Sequence, residues 1–292
     1  ELTSAEVFVG VGSTFDDNST PLVYGDDEID ITDALGLYAT VSSFRLVTIK
    51  QLLVTYTAIQ IDDLGGSFVG VTGLTLGVSG VDVKVNQAPV LVDRLDWDNL
   101  SLTTGTLVNP QIDKTQLLYA EGDAAVGAFG FVAALAHFTL SKQTVSGSDG
   151  EGTTLANAEL FEFTLTGAEA FVGVGSTIDD NGTPLDYADD TIETDDALGI
   201  LASVGSFRLV TVRQLLPLPT TRTAIQIDDL AGAFVGIEGL TMGVSGVDVK
   251  VNQSGAGAAR LDWETVSLTP ATLAPVQIDE SQLLYADGDA SI

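Results

Sequence analysis

The chain of 292 residues has no cysteine, one methionine, one histidine and two tryptophans, and its 11 Lys and Arg stand against 41 Asp and Glu, a formal net charge of −30. Without cysteine, disulfides, thiolate metal sites and thiol chemistry are all closed to it. Rigidity must then come from packing, hydrogen bonds or bound ions. The shortage of cations opposes binding to nucleic acid and to anionic lipid through Coulomb repulsion. No window holds about twenty uninterrupted apolar residues, so neither a spanning helix nor membrane insertion is expected. No basic segment leads into an apolar one at the start, so any export signal is expected to lie outside this sequence. The hydrophobic share of 45% is nevertheless ample for real cores.

What is present is repetition. Residues 58–87 read AIQIDDLGGSFVGVTGLTLGVSGVDVKVNQ, and residues 224–253 repeat them with five of thirty positions changed. The match extends from Ala5 to Asp123 against Ala168 to Asp289, interrupted by an insertion at Pro217-Leu218-Pro219. The period divides the chain into copy one (1–126), a connecting degenerate half-repeat (127–163) and copy two (164–292). A second element occurs three times, beginning at Ala34, Ala128 and Ala197, and Phe8-Val9-Gly10-Val11 has cousins at Phe68 and Phe171. A shorter ancestral unit of roughly 80 residues is read beneath the long period. Self-similarity of this kind marks arrays that build length, which favours structural and adhesive roles over a single active site.

The pattern is that of strands. Val81-Asp82-Val83-Lys84-Val85-Asn86 alternates apolar and polar residues, the period of a strand with one dry face. Gly70, Gly73, Gly77 and Gly80 precede it, and each would cost a helix about 1 kcal/mol relative to alanine. In 34–46, Leu35, Leu37, Ala39 and Val41 share one parity while Phe44 and Leu46 take the other. A bulge near Ser42-Ser43 that re-aims the strand is therefore expected. The fold class read from this is all-β: an elongated tandem array of repeated β-modules, sandwich-like or solenoid-like, with long bent strands. A short helix over 127–136 is the competing reading of GAFGFVAALA. Val81–Asn86, with few blocking charges, would invite a partner strand if it lay at an edge.

Chemistry concentrates in two acidic segments. Seven carboxylates and no cation lie between Asp16 and Asp33, and eight between Asp179 and Asp196. Calcium takes six to eight oxygens from carboxylates, Asn side chains and loop carbonyls, so Asp16, Asp17, Asn18, Asp26 and Asp27 are candidate ligands, with Asp179, Asp180, Asn181, Asp189 and Asp190 in copy two. The EF-hand spacing is absent. Asp62-Asp63 and Asp228-Asp229 are read as turn residues. Trp97 and Trp263, each flanked by acids, are read as core residues on a strand with a wet acidic face, or as a platform for stacking sugars. Catalytic and cofactor-binding residues are not expected: His137 stands where the other copies have Ser43 and Ser206, and Gly10-Val11-Gly12 lacks the third glycine of a dinucleotide loop.

In its repetition, acidity, lack of cysteine and Gly/Thr/Val-rich strands, the chain resembles the giant tandem-repeat surface and matrix proteins of bacteria: adhesins, sheath components and extracellular filaments, often stiffened by calcium. The resemblance implies an extracellular or cell-surface β-rich rod, not an enzyme, whose partners are other copies of itself or adjacent repeats. The alternative is a carbohydrate- or surface-binding module that uses Trp97 and Trp263 on glycans.

Overall fold

The computed structural model describes residues 1–89, 92–102, 108–215, 219–270 and 273–292. The insertion residues Pro217 and Leu218 lie outside them. Among the described residues there is no helix, and sixteen strands follow one another: β1 Leu2–Val11, β2 Thr14–Asp16, β3 Glu28–Asp30, β4 Leu35–Gln51, β5 Val54–Val69, β6 Leu74–Gln87, β7 Gln116–Ala128, β8 Val132–Ser148, β9 Thr154–Val174, β10 Thr177–Asp179, β11 Thr191–Glu193, β12 Leu198–Gln214, β13 Thr220–Val235, β14 Gly243–Ser254, β15 Ser267–Thr269 and β16 Leu284–Ser291. The protein is all-β. The reading of 127–136 as a helix gives way to the end of β7, a turn and the start of β8, because Phe129 and Gly130 both take positive φ and close a tight connection.

One large antiparallel sheet takes the strands in the order β1-β4-β5-β6-β7-β8-β9-β12-β13-β14-β16, with β15 added to β8; β2-β3 and β10-β11 are separate hairpins. The pairing of β4, β5 and β6 recurs in β12, β13 and β14, down to matched irregularities between Ile61 and Leu64 and between Ile227 and Leu230. The shorter period has a simple origin in this order. The thrice-repeated element falls on β4, β8 and β12, which run one way, and the Phe-Val-Gly motifs close β1, β5 and β9, which run the other. The piece that recurs three times is thus an up-and-down pair of strands, β4-β5, β8-β9 and β12-β13.

The expected change of parity is present, and it crosses the sheet. Ser4, Asp63, Gly80, Gly167, Asp229 and Gly246 all have positive φ at this level of their strands. Asp62-Asp63 and Asp228-Asp229 are therefore mid-strand residues rather than turns. Ser42 Oγ donates to Asp63 Oδ2 at 2.7 Å and Ser43 Oγ to Asp62 Oδ2 at 2.5 Å. Burial of Asp62 opposes its ionisation, but the hydrogen bonds from Ser43 and Gln60, with Arg45 and Lys84 nearby, hold its carboxyl below the ordinary range. Val81–Asn86 is likewise not an edge: β6 is paired on both sides, with β5 and β7. The free edges are β1 and β16.

The parity change puts every cover on one face. On the half of the strands beyond the irregularity, the β10-β11 hairpin lays Ile178, Tyr187 and Ile192 against Ala125, Leu135, Ala133 and Phe171. On the other half, the loops after β6 and β14 bury Trp97 against Tyr56 and Ala58, and Trp263 against Val210, Val212 and Leu160.

Candidate functional site

The two long loops are built alike. Asn86 and Asn252 occupy the same place on β6 and β14, and each is a three-way clamp. Asn252 Nδ2 donates to Leu261 O at 2.9 Å and Asp279 O at 2.8 Å, while its Oδ1 accepts from Trp263 Nε1 at 3.1 Å. Asn86 does the same with Leu95 O, Asp113 O and Trp97 Nε1. Both tryptophans are at 0% exposure. They lie in loops, not on strands, since the chain leaves the sheet after Gln87 and Ser254. Neither indole offers a ring face to a sugar, and the flanking acids are used locally: Asp262 Oδ1 accepts from Glu264 N at 2.9 Å. The stacking platform of the carbohydrate reading is not formed.

The acidic segments fold into the two small hairpins and their tips. In copy one, Asp16 and Asp17 accept from the backbone N–H of Asn18 and Ser19, Asn18 Nδ2 donates to the Asp26 carbonyl, and Thr20 Oγ1 donates to Asp26 Oδ2 at 2.7 Å. In copy two, Asn181 N donates to Asp179 Oδ1 at 3.0 Å, Gly182 N to Asp180 Oδ1 at 3.0 Å, and Thr183 Oγ1 to Asp189 Oδ1 at 2.9 Å. The carboxylates singled out in the sequence are therefore neighbours, and one oxygen each of Asp16, Asp17, Asp26, Asp179, Asp180 and Asp189 accepts a hydrogen bond that shapes the turn. Asp27 makes no contact of this kind among the described residues. Among the described residues, no three acidic or histidine side chains converge into a group that could hold a metal ion.

Asp190 stands apart. Its Oδ1 is buried without a hydrogen-bond partner, and burial, then the charges of Asp189, Asp180, Asp186 and Asp179, push its pKa up to about 6. A carboxyl whose folded pKa is raised above its unfolded value contributes stability below the unfolded pKa near 4, and that contribution is lost as pH rises through about 6. Thermal melts of Asp190→Asn are expected to show a higher Tm than the native chain at pH 7.5 and no gain on acidification from 7.5 to 5, where the native chain gains. An unchanged slope in the variant would remove Asp190 as its source.

The two hairpins differ in one respect that sequence comparison does not reveal. The hairpin of copy two lies across the strands of copy one. Tyr187 Oη donates to Ser67 Oγ at 3.0 Å, and Tyr187 N donates to Ser79 Oγ at 2.8 Å. The ring sits over Gly77, where an added Cβ would come within 2.2 Å of the phenolic oxygen. Tyr187 is 8% exposed, whereas its counterpart Tyr24 is 76% exposed. This seat was missed in the sequence because its partners are more than a hundred residues apart. The one available signal was glycine at 77 in a strand otherwise rich in β-branched residues.

Among the described residues, nothing covers the opposite face of the sheet, which is apolar where its grooves run. Val9, Leu37, Val172 and Ile200 are each more than half exposed. Two shallow grooves cross it, one of about 300 Å³ lined by Ala136, Leu165, Ala168, Ala170, Ala202 and Val204, the other of about 380 Å³ lined by Ile200, Phe234, Met242 and Val244. Leu165 shares a groove with Ala168 and Ala170 because Gly167, at φ 57, turns the strand over between them. Lys142 Nζ and Arg213 Nη1 stand 3.3 and 4.0 Å from Glu159 Oε2, and Glu169 is also among the residues that line the first groove.

No family model, no curated protein and no solved structure matches the chain.

Proposed function

We propose that the chain is a structural protein: tandem β-modules that build an elongated extracellular filament, sheath or adhesin stalk and associate with their own kind. One observation carries this reading. The two copies share a single hydrogen-bonded sheet, and the hairpin of the second is seated on the strands of the first. Repeats joined in this way gain stability from their neighbours, so that length grows with copy number and stiffness with each new junction.

The uncovered face supports self-association. Eleven strands about 4.8 Å apart, carrying apolar side chains over about ten residues at about 3.3 Å each, present on the order of 1,500 Å². A stable interface takes roughly 800 Å² from each partner, and exposed apolar patches beyond a few hundred Å² mark interaction surfaces. The two grooves are lined by apolar residues apart from Glu169 and Ser291, in a protein with a net charge of −30, so copies can approach through this face without bringing their acidic hairpins together. Calcium enters this reading at the hairpin tips, where a divalent ion would relieve the repulsion around Asp189 and Asp190.

The test is light scattering and thermal melting with millimolar calcium and with chelator. The reading expects concentration-dependent assembly in both, with a higher Tm in calcium. A chain that stays monomeric at every concentration sinks the self-associating reading, and an unchanged Tm removes calcium from it.

A further inference from the structure

The contact that joins the two copies has both of its halves present a second time, unjoined. At one end of the sheet, the hairpin formed by β2 and β3 holds out Tyr24, Phe15 and Leu22, which are 76, 79 and 83% exposed. Near the other end, Gly243 and Ser245 on β14 stand where Gly77 and Ser79 stand on β6, preceded by Leu240-Thr241 in place of Leu74-Thr75. Ser79 is buried under Tyr187, while Ser245 is exposed. We propose that the hairpin around Tyr24 of one chain seats on the β13-β14 surface of a second copy, rebuilding between molecules the contact that Tyr187 makes within one.

A second copy is the occupant because each surface already has its twin's partner in the same structure. In the proposed joint the Tyr24 ring lies over Gly243 and its backbone N–H donates to Ser245 Oγ. Ala233 replaces Ser67, so the phenol gives up one hydrogen bond, and the joint is weaker than the one inside the chain. Hairpin and seat are different surfaces, so the association is heterologous and does not close; it makes open head-to-tail chains. The two strands that meet, β16 of one copy and β1 of the next, run in the same direction. Their counterparts β7 and β9 have β8 between them, so the joint leaves one strand position free.

The inference rests on the reading of the chain as a self-associating structural unit, and sedimentation velocity over a wide concentration range separates the two. The native chain is compared with Tyr24→Ala, which removes the hairpin's anchor, and Ser245→Trp, which fills an exposed seat, after melts show that both fold as the native chain does. The native chain should give a growing series of species, and each variant alone only monomer. The two variants mixed should give a one-to-one dimer and nothing larger, since one retains only the seat and the other only the hairpin. A peptide of residues 129–148, the β8 sequence, should raise the average mass of the native chain by filling the free strand position. Assembly of the same extent in both variants would overturn this joint and leave self-association standing. A native chain that is monomeric throughout, with or without the peptide, would overturn both.

Discussion

Replacing Tyr187 by alanine is expected to be among the most damaging single changes in the chain, and the same replacement at Tyr24 nearly silent. Tyr187 is buried, donates to Ser67 and Ser79, and packs with Ile178 and Ile192 against Ala125 and Leu135. Removing an aromatic side chain from such a site costs about 3–5 kcal/mol, and the stranded hydroxyl of Ser67 adds about 1 kcal/mol or more. Tyr24 is mostly in solvent, where substitutions usually stay within about 0.5 kcal/mol. The pair is its own control, being the same residue in the same local hairpin. Gly77→Ala should mirror Tyr187→Ala, since the new methyl would collide with the phenol. Thermal unfolding reads the difference as a loss on the order of 10 °C for Tyr187→Ala, with the single transition dividing in two as the copies uncouple. Equal effects at the two tyrosines would show that the seat carries no energy and would remove the basis for treating the repeats as coupled.

Asn252→Ala is the second large effect. The side chain is fully buried and serves three partners at once, the carbonyls of Leu261 and Asp279 and the indole of Trp263. Alanine leaves two acceptors and one donor unpaired in an apolar core, each costing about 1–3 kcal/mol. A total of about 4 kcal/mol is expected, and the loop over 255–283 should lose protection from hydrogen exchange first. Asn252→Asp should do no better, because a carboxylate cannot donate to the two carbonyls. Asn86→Ala is expected to act on its own loop in the same way. Asn99→Ala, at an exposed position, serves as the control. Denaturant titration measures all four, and a loss below 1 kcal/mol for Asn252→Ala would mean the loop is held by its apolar contacts alone.

Strands, repetition and the parity change at Ser42 were legible in the sequence because they are local: alternation and glycine spacing act over a few residues. The sequence misled wherever pairing partners decide the outcome. Val81–Asn86 has the composition of an edge strand, yet β5 and β7 flank it. Asp62-Asp63 has the composition of a turn, but its carboxylates find Ser43 and Ser42 across the ladder and stay within β5. The tryptophans were placed in the core correctly and on a strand wrongly, since Asn86 and Asn252, their hydrogen-bond partners eleven residues earlier, reveal themselves only when the loop has folded back. Of the candidate metal ligands, the sequence located the acidic loops but could not show that Asp16, Asp17, Asp179 and Asp180 each use one oxygen to cap a backbone N–H group.

The direction of the hydrogen bonds has a mechanical consequence. Strands lie side by side from β1 to β16, so a pull between the two free edges acts along the hydrogen bonds rather than along the strands. Such a load opens ladders one after another, as a zipper does, and gives way at low force compared with shearing a pair lengthwise. The copy-two hairpin, rooted between β9 and β12 and fastened on β5 and β6, straddles the ladders β6-β7, β7-β8 and β8-β9. None of the three can part while Tyr187 stays seated, which makes this hairpin a stop at which a running tear must halt before it crosses from one copy to the other.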